Sequence, residues 1–569
     1  MNKRILAAAL TAAMLVSVVT SCNNNNGGNN SSSTGGSSTT SSSQGGSSAA
    51  GGDSSASDGE VGSGLGFKLD PAGYPVMDEP HTVKVTGFCT TPEGVDAWET
   101  PNEIYFFSEM EKRTNIHLDW TTMTRDALIE KIPILFASDD LPDVFFKTSL
   151  SASTLARYGT DGMVVNVAPL LETYAPDLYT YCADRDLLKF MTYADGIWGF
   201  PYMFDSEGIR MDKIFVNEKW LENVNMEMPT NWDEIEAVAK AFRDQDANGN
   251  GDPNDEVPLG ITSITDMFSW LYSKYDLMNR GTSMAGSYID ADPADPSGNT
   301  IRAFITADEM KDVLKDAKHF WDEKLLPSTL FDADYYNAIW STNISQNWAG
   351  FHTAWATATG NYVDDYIALP NAPTEKWNNV LGYLSGFGSG VITKECEIPE
   401  AMVSWFNYLY TIDGAYEFFL GIEGESYIID DQGHVQLTEK ITNHPELEQE
   451  QAHLRYSFYS GGGNPALATD ETFKGGETYI TSLNGCDNFR PATEGLTIWE
   501  AFPLNSDQTE RINNVKGDIS AVYKEYTAAF VTGTKDIDAD WQEFLDKLNA
   551  AGLEEYLAAY QEAYDVISG

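Results

Sequence analysis

Basic side chains are scarce in this chain of 569 residues: 35 Lys and Arg stand against 86 Asp and Glu, for a formal net charge of −51. A phosphate backbone or an anionic lipid surface needs clustered cations, so this balance argues against nucleic acid and against electrostatic docking on a bilayer. It also disfavours an anionic solute, more weakly. Cysteine is rare as well, five in all. Beyond Cys22, the remaining Cys89, Cys182, Cys396 and Cys486 are scattered without metal-type spacing, which permits disulfides and requires none. The seven histidines form no ligand pattern, and the sequence has no Gly-x-Ser-x-Gly elbow, His-Glu-x-x-His pair or phosphate loop. Acidic pairs such as Asp139-Asp140 and Asp364-Asp365 would suit a glycoside hydrolase, but in so acidic a chain they discriminate nothing. No enzymatic activity is expected. After residue 19 no apolar run reaches the roughly 20 residues of a bilayer span.

The first 66 residues carry a different message. Lys3 and Arg4 precede an uncharged, largely apolar run over 5–19 that ends in Thr20, Ser21 and Cys22. The run is short for a spanning helix and has small residues at its end, which reads as a signal peptide over 1–22. Val19-Thr-Ser-Cys22 resembles the lipobox of bacterial lipoproteins, and that resemblance implies acylation of Cys22 as the mature N-terminus. Residues 23–66 are almost wholly Asn, Gly, Ser and Thr, with too little apolar surface to offset the entropy of ordering them. They read as a flexible tether with a reach of roughly 35 Å.

About 500 residues remain, enough for two lobes. Strand-like and helix-like segments alternate: strands over 81–88, 116–120 and 141–146, helices over 102–114 and 126–137, which is the pattern of an α/β fold. Several segments then show a specific likeness. Phe136-Ala-Ser-Asp-Asp-Leu-Pro-Asp-Val-Phe145, Val164-Val-Asn-Val-Ala-Pro-Leu-Leu171, Tyr193-Ala-Asp-Gly-Ile-Trp-Gly-Phe-Pro-Tyr202, Phe215-Val-Asn-Glu-Lys-Trp-Leu221 and Met228-Pro-Thr-Asn-Trp-Asp-Glu-Ile235 resemble, in order and spacing, the extracellular solute-binding proteins of ABC importers, the family of the maltose-binding type. Gly421-Ile-Glu-Gly424, Gly552-Leu-Glu-Glu-Tyr556 and Tyr560-Gln-Glu-Ala-Tyr564 resemble its longer branch, with the alginate-binding and lipoprotein-A-type binders.

That resemblance implies a periplasmic-binding-protein-like fold, in which two α/β lobes are joined by crossing hinge strands with a ligand cleft between them. The expected division is 67–200 in the first lobe, 201–380 in the second, a return to the first over 381–412, and a mainly helical 413–569 in the second. It also implies a monomer that is lipid-anchored to the outer face of a cell membrane of Gram-positive type and delivers its solute to the transmembrane subunits of an ABC permease. The 14 Trp, 28 Tyr and 27 Phe suit an oligosaccharide ligand, because sugar C–H faces stack on aromatic rings while hydroxyls need fixed polar partners. The resemblance places the candidates Trp198, Arg210, Trp270, Tyr272, Trp355, Phe387 and Tyr427 at the cleft. A peptide or lipid-linked solute, or a sensory role, is the alternative.

The segment 244–256 alternates oxygen-bearing side chains with glycines, which lets a short loop curl around Ca2+, a hard cation that takes six to eight oxygens. The longer branch carries a similar loop. Carried over, Asp246, Asn248 and Asn250 supply side-chain oxygens, Asp252 its backbone carbonyl, and the Asp255-Glu256 pair closes the site. One extra residue before the pair leaves Asn254, Asp255 and Glu256 all open as the closing ligand. An EF-hand register, starting at Asp244 and ending at Asp255, is the other reading. Either way the ion is structural.

Overall fold

The computed structural model describes Gly62 and residues 64–88, 98–332, 335, 339, 344–353, 356–431, 434–447, 449–458, 462–474 and 480–568. Cys22 and the tether up to residue 61 lie outside the described residues, as do Cys89 and Trp355.

Ten strands build two sheets: β1 (His81–Phe88), β2 (Ile116–Met123), β3 (Val144–Leu150), β4 (Phe200–Asp205), β5 (Phe215–Asn217), β6 (Val257–Leu259), β7 (Ala349–His352), β8 (Tyr366–Ala368), β9 (Leu384–Ile392) and β10 (Leu467–Thr469). Five helices matter for the site: α1 (Ala152–Thr160), α2 (Trp232–Asp244), α3 (Ile264–Tyr272), α4 (Ser506–Val531) and α5 (Leu553–Ser568). The six-stranded sheet runs β10-β4-β9-β3-β1-β2, and the four-stranded sheet β8-β5-β7-β6. In β1 the alternation is plain: Val83 and Val85 are buried while Thr82 and Lys84 face water, as a half-buried strand requires. β1 pairs in parallel with β2 from His81↔Ile116 to Phe88↔Met123, and with β3 on its other side. β9 runs antiparallel to both β3 and β4, with a register shift on each side. Its glycines permit that close double pairing. A Cβ on Gly388 would stand 2.7 Å from the Leu150 Cβ, and one on Gly390 2.6 Å from the Phe406 ring.

Each sheet has its own core. The first gathers Phe106, Phe107, Phe146, Trp405, Phe418 and Phe458 with a long run of other apolar residues between Phe67 and Phe473, and a smaller cluster around Phe136, Phe145 and Trp198 lies beside it. The second extends from Met211 to Val380 and from Cys486 to Ile567. Within it α2 presents Trp232, Ile235, Val238, Ala239 and Phe242 on one face, the three-and-four spacing of an amphipathic helix. Its N-terminus is capped by Asn231, whose side chain accepts from the Glu234 N–H at 3.1 Å.

The chain returns to the first body for longer than its sequence suggests. Residues 415–473, expected in the second lobe, supply Ala415, Phe418, Phe419, Tyr427, Phe458 and Phe473 to the first core. The reason is β10, which pairs in parallel with β4 and so holds this segment to the first sheet. Only from Cys486 onward does the chain rejoin the second core. Cys182, Cys396 and Cys486 are buried free thiols. Among the described residues no helix is long and apolar enough to cross a membrane.

Candidate ligand cleft and acidic loop

The two bodies are joined where the chain runs out of β4 and where it runs back into β9. These segments stay paired across the join. Phe204 N–H donates to Tyr383 C=O at 2.8 Å, Leu381 N–H to Arg210 C=O at 2.7 Å, and Asp212 N–H to Asn379 C=O at 3.0 Å. Glu500, from the C-terminal segment of the second body, inserts its carboxylate here and accepts the Tyr383 and Leu384 N–H groups at 2.7 and 2.9 Å. The Arg210 guanidinium lies 3.6 Å from the centroid of the Tyr383 ring and donates through Nε to Leu381 C=O at 3.0 Å.

In α/β sheets ligands bind outside the carboxyl ends of parallel strands. Here those ends carry Phe88, Met123 and Leu150 in the first body, all half-buried. Phe387 lies nearby, edge-on to Tyr193 at 5.4 Å. In the second body the parallel pair β6 and β7 ends at residues 260–263 and at Thr353. There Asp266, in the first turn of α3, accepts from Thr262 N–H at 2.8 Å and from Thr353 Oγ1 at 3.1 Å, while Trp270 Nε1 donates to the same Thr353 hydroxyl at 3.0 Å. Burial raises the Asp266 carboxyl above its ordinary range, against the hydrogen bonds from Thr262 and Thr353.

Asp212 stands at the join. Its side chain is solvent-exposed, yet desolvation pushes its carboxyl up to about 7, with Lys213 opposing and Asp266 adding to the shift. Open exposure and strong desolvation conflict for a surface residue. The exposure is the geometric fact, and the upward direction of the shift follows from the groups packed around the join.

The sequence-predicted aromatic platforms are mostly core. Trp270 is fully buried and acts through its indole N–H on Thr353. Tyr272 is buried and shares a 3.0 Å hydroxyl contact with Tyr523. Tyr427 is buried in the first body beside Tyr416. Trp198 is 9 % exposed; its Nε1 donates to Tyr193 C=O at 2.7 Å, and Gly159 and Gly196 lie directly against the indole. These four rings have no free face for a sugar, because packing has already covered them. Arg210 and Phe387 are half-buried at the join. Trp355 follows two residues after Thr353, outside the described residues. Asp212, Asp266 and Asn379 stand beside the join and are further candidates that the sequence does not single out. The one signal available was position, since Asp212 lies just beyond the first crossing.

The acidic loop curls on itself. Asn248 and Asn250 turn their amides to Asp255, at 3.0 and 2.6 Å, and Gly251 N–H donates to Asp246 Oδ2 at 2.9 Å. Asp246 Oδ1 and Glu256 Oε2 are buried with no hydrogen-bond donor, and burial raises the Glu256 carboxyl. Asp244 instead pairs with Arg243, at 2.7 and 2.8 Å. Asn254 is exposed and bonds Asp252. No group of three or more His, Cys, Asp or Glu side chains is gathered for a metal among the described residues. The donor set that converges is mixed, from carboxylates and side-chain amides. Two carboxylate oxygens without donors, in a loop of that composition, fit a hard cation.

Two α/β bodies with crossing segments between them share the fold of periplasmic-binding-protein-like solute-binding proteins. The homologues are ABC-transporter substrate-binding proteins. The chain is 24% identical over 535 residues to the fructooligosaccharide ABC transporter substrate-binding protein FusA of Streptococcus pneumoniae, a match covering 88% of this chain and 93% of that one. A solved structure of FusA in complex with kestose superposes with a TM-score of 0.63 at 20% identity, covering 85% of this chain and 99% of that one. FusA has also been solved as an EF-hand mutant in complex with fructo-nystose. An HMO-binding, ABC-transporter-associated solute-binding protein from Bifidobacterium longum infantis gives a TM-score of 0.68 at 20% identity over 86% of this chain and 99% of that one. The alginate-binding protein AlgQ2, solved without calcium ion, gives 0.60 at 20% identity over 87% and 100%. Residues 507–566, which take in most of α4 and all but the end of α5, match a family model described as a domain of unknown function, DUF3502.

Proposed function

We propose that this chain is the extracytoplasmic substrate-binding protein of an ABC transporter and that it captures an oligosaccharide in the inter-lobe cleft. The observation that supports this is the pair of α/β bodies joined by crossing segments, in a chain that aligns with FusA over most of both lengths. Open and closed forms interconvert, and a sugar touching both bodies favours the closed one, which the permease subunits then receive. The chain acts as a monomer without catalysis, tethered to the outer face of the membrane through acylated Cys22. The loop from Asp246 to Glu256 holds a structural Ca2+ through Asp246, Asn248, Asn250, the Asp252 carbonyl, Asp255 and Glu256.

Isothermal titration against panels of oligosaccharides and peptides tests the reading. At least one oligosaccharide of two or more units should bind with micromolar or tighter affinity, roughly −8 kcal/mol. Binding of a peptide with no saccharide bound would overturn it, and cleavage of a glycan would restore the hydrolase alternative.

A further inference from the structure

We propose that Asn248 is a self-modifying site: its side-chain amide is lost spontaneously through attack by the Gly249 backbone nitrogen, and a carboxylate takes its place in the acidic loop. This modification is independent of the ligand-binding role.

The reaction needs an asparagine followed by a residue whose peptide nitrogen can reach the side-chain carbonyl carbon, and glycine, with no Cβ, hinders that approach least. The Gly249 N–H gives up its proton, its nitrogen bonds to Asn248 Cγ, and the Cγ–Nδ2 bond breaks to release ammonia. Water then opens the resulting succinimide. Opening at Cγ leaves aspartate at 248, and opening at the backbone carbonyl leaves isoaspartate. Water and the loop's own atoms suffice, without oxidant or cofactor.

The sequence holds four Asn-Gly steps, at Asn26, Asn248, Asn250 and Asn484. Asn26 lies outside the described residues, and the fold separates the other three. Asn484-Gly485 is inside the helix Ile480–Thr493, where regular bonding engages the Gly485 N–H with the carbonyl one turn back. Asn250-Gly251 is exposed, but Gly251 N–H donates to Asp246 Oδ2 at 2.9 Å. A backbone N–H held in a hydrogen bond yields its proton only when that bond opens, and a nitrogen anion beside a carboxylate is disfavoured by like charge. Asn248-Gly249 has neither restraint. Gly249 is exposed, and its N–H has no acceptor among the described residues. A Cβ on it would meet nothing nearer than Asn223 Nδ2 at 3.5 Å, so the approach is open. Asn248 Oδ1 accepts from Asn250 N–H at 2.9 Å, which folds the side chain back over the Gly249 peptide. Asn250 makes the same turn onto Asp252 N–H at 2.8 Å, so the free Gly249 N–H is what distinguishes the two.

The exchange changes the loop. Asn248 Nδ2 donates to Asp255 Oδ1 at 3.0 Å, and afterwards an acceptor faces an acceptor, with like charges in repulsion. Asp246 Oδ1 and Glu256 Oε2 already lack donors there.

The test is ageing of the purified, folded protein in EGTA under warm, mildly alkaline conditions, followed by peptide mapping with fragment-ion mass spectrometry. Asn248 should be converted to a mixture of aspartate and isoaspartate at least roughly tenfold faster than Asn250 or Asn484, because opening a hydrogen bond to a carboxylate costs at least that factor in rate. In urea, where the fold no longer separates them, Asn248 and Asn250 should react within roughly threefold of each other. Asp246→Ala, checked for folding by circular dichroism, frees the Gly251 N–H and should bring Asn250 within roughly threefold of Asn248 in the folded protein. Conversion at Asn250 as fast as at Asn248 in the native protein overturns the assignment, as does an Asn248 that stays intact while the unfolded chain is converted. A preference for Asn248 that persists undiminished in urea, or in Asp246→Ala, overturns the role given to the fold. Asn248→Asp, which carries the product's charge, should melt roughly 1–4 °C below the native protein in EGTA, and equal melting would overturn the consequence drawn for the loop.

Discussion

Trp198 and Asp212 show how differently an aromatic and a carboxylate reveal themselves. An indole is legible in sequence as a possible sugar platform, but whether its face is free depends on what packs against it, and here Gly159 and Gly196 do. Asp212 sits in no motif, yet its surroundings set it apart. An unfolded aspartate titrates near 3.9, while desolvation by the groups at the join holds Asp212 up to about 7. Between those values the folded state binds more protons than the unfolded one, so this group makes stability fall as pH rises from about 4 to about 7, with no further change above. Asp212→Asn should remove that slope. Thermal melts of both proteins from about pH 4 to pH 8 check it: the difference in Tm between variant and native should grow with pH and then level off near 7. A constant difference would mean that the carboxyl is not desolvated. The partners that meet at Asp212, the Asn379 carbonyl that accepts its N–H and Asp266, whose charge adds to the shift, lie too far off in the chain to be read from its sequence.

At the scale of elements, legibility follows locality. The acidic loop was visible because its oxygens lie within 13 residues of one another, and α2 because its apolar stripe repeats every three or four residues. β5 and β10, at three residues each, are too short to show a period. The structure also narrows what sequence left open in the loop. Asp244 is turned to Arg243, which disfavours the register that begins there, and exposed Asn254 yields to Asp255 and Glu256 as the closing groups. A cation that binds only the folded loop adds about 2.7 kcal/mol of stability at a hundred times its Kd. Chelation with EGTA should therefore lower Tm, and added Ca2+ should restore it. Asp246→Asn should abolish that increment, because it weakens an oxygen that has no other donor, while Asp244→Asn should keep it. Equal melting in EGTA and Ca2+ would dispose of the calcium reading.

At the scale of the molecule, alternation of strands and helices made the α/β class readable, and the two-lobed plan followed from family likeness. Where the last segment belongs was not readable, because aromatic residues such as Phe418, Phe458 and Phe473 declare a core without declaring which one. What decides is the pairing of β10 with β4, a contact some 260 residues apart in the chain. The relation between the bodies then depends on few groups. Glu500 is 4 % exposed and is the acceptor for two backbone N–H groups in the return strand, so it ties the C-terminal segment of the second body to the path into the first. Removing the carboxylate strands two buried donors, each costing about 1–3 kcal/mol. Glu500→Ala should cost about 2–4 kcal/mol in urea denaturation. Glu500→Gln keeps one acceptor and should cost about half as much. Because the same bonds fix the path of the strand about which the bodies would close, the alanine variant should also bind ligand more weakly at temperatures where it remains folded, whereas a variant destabilised to the same extent in a distant part of the core should not. Equal ligand affinity for the two would show that Glu500 supports the fold without setting the hinge.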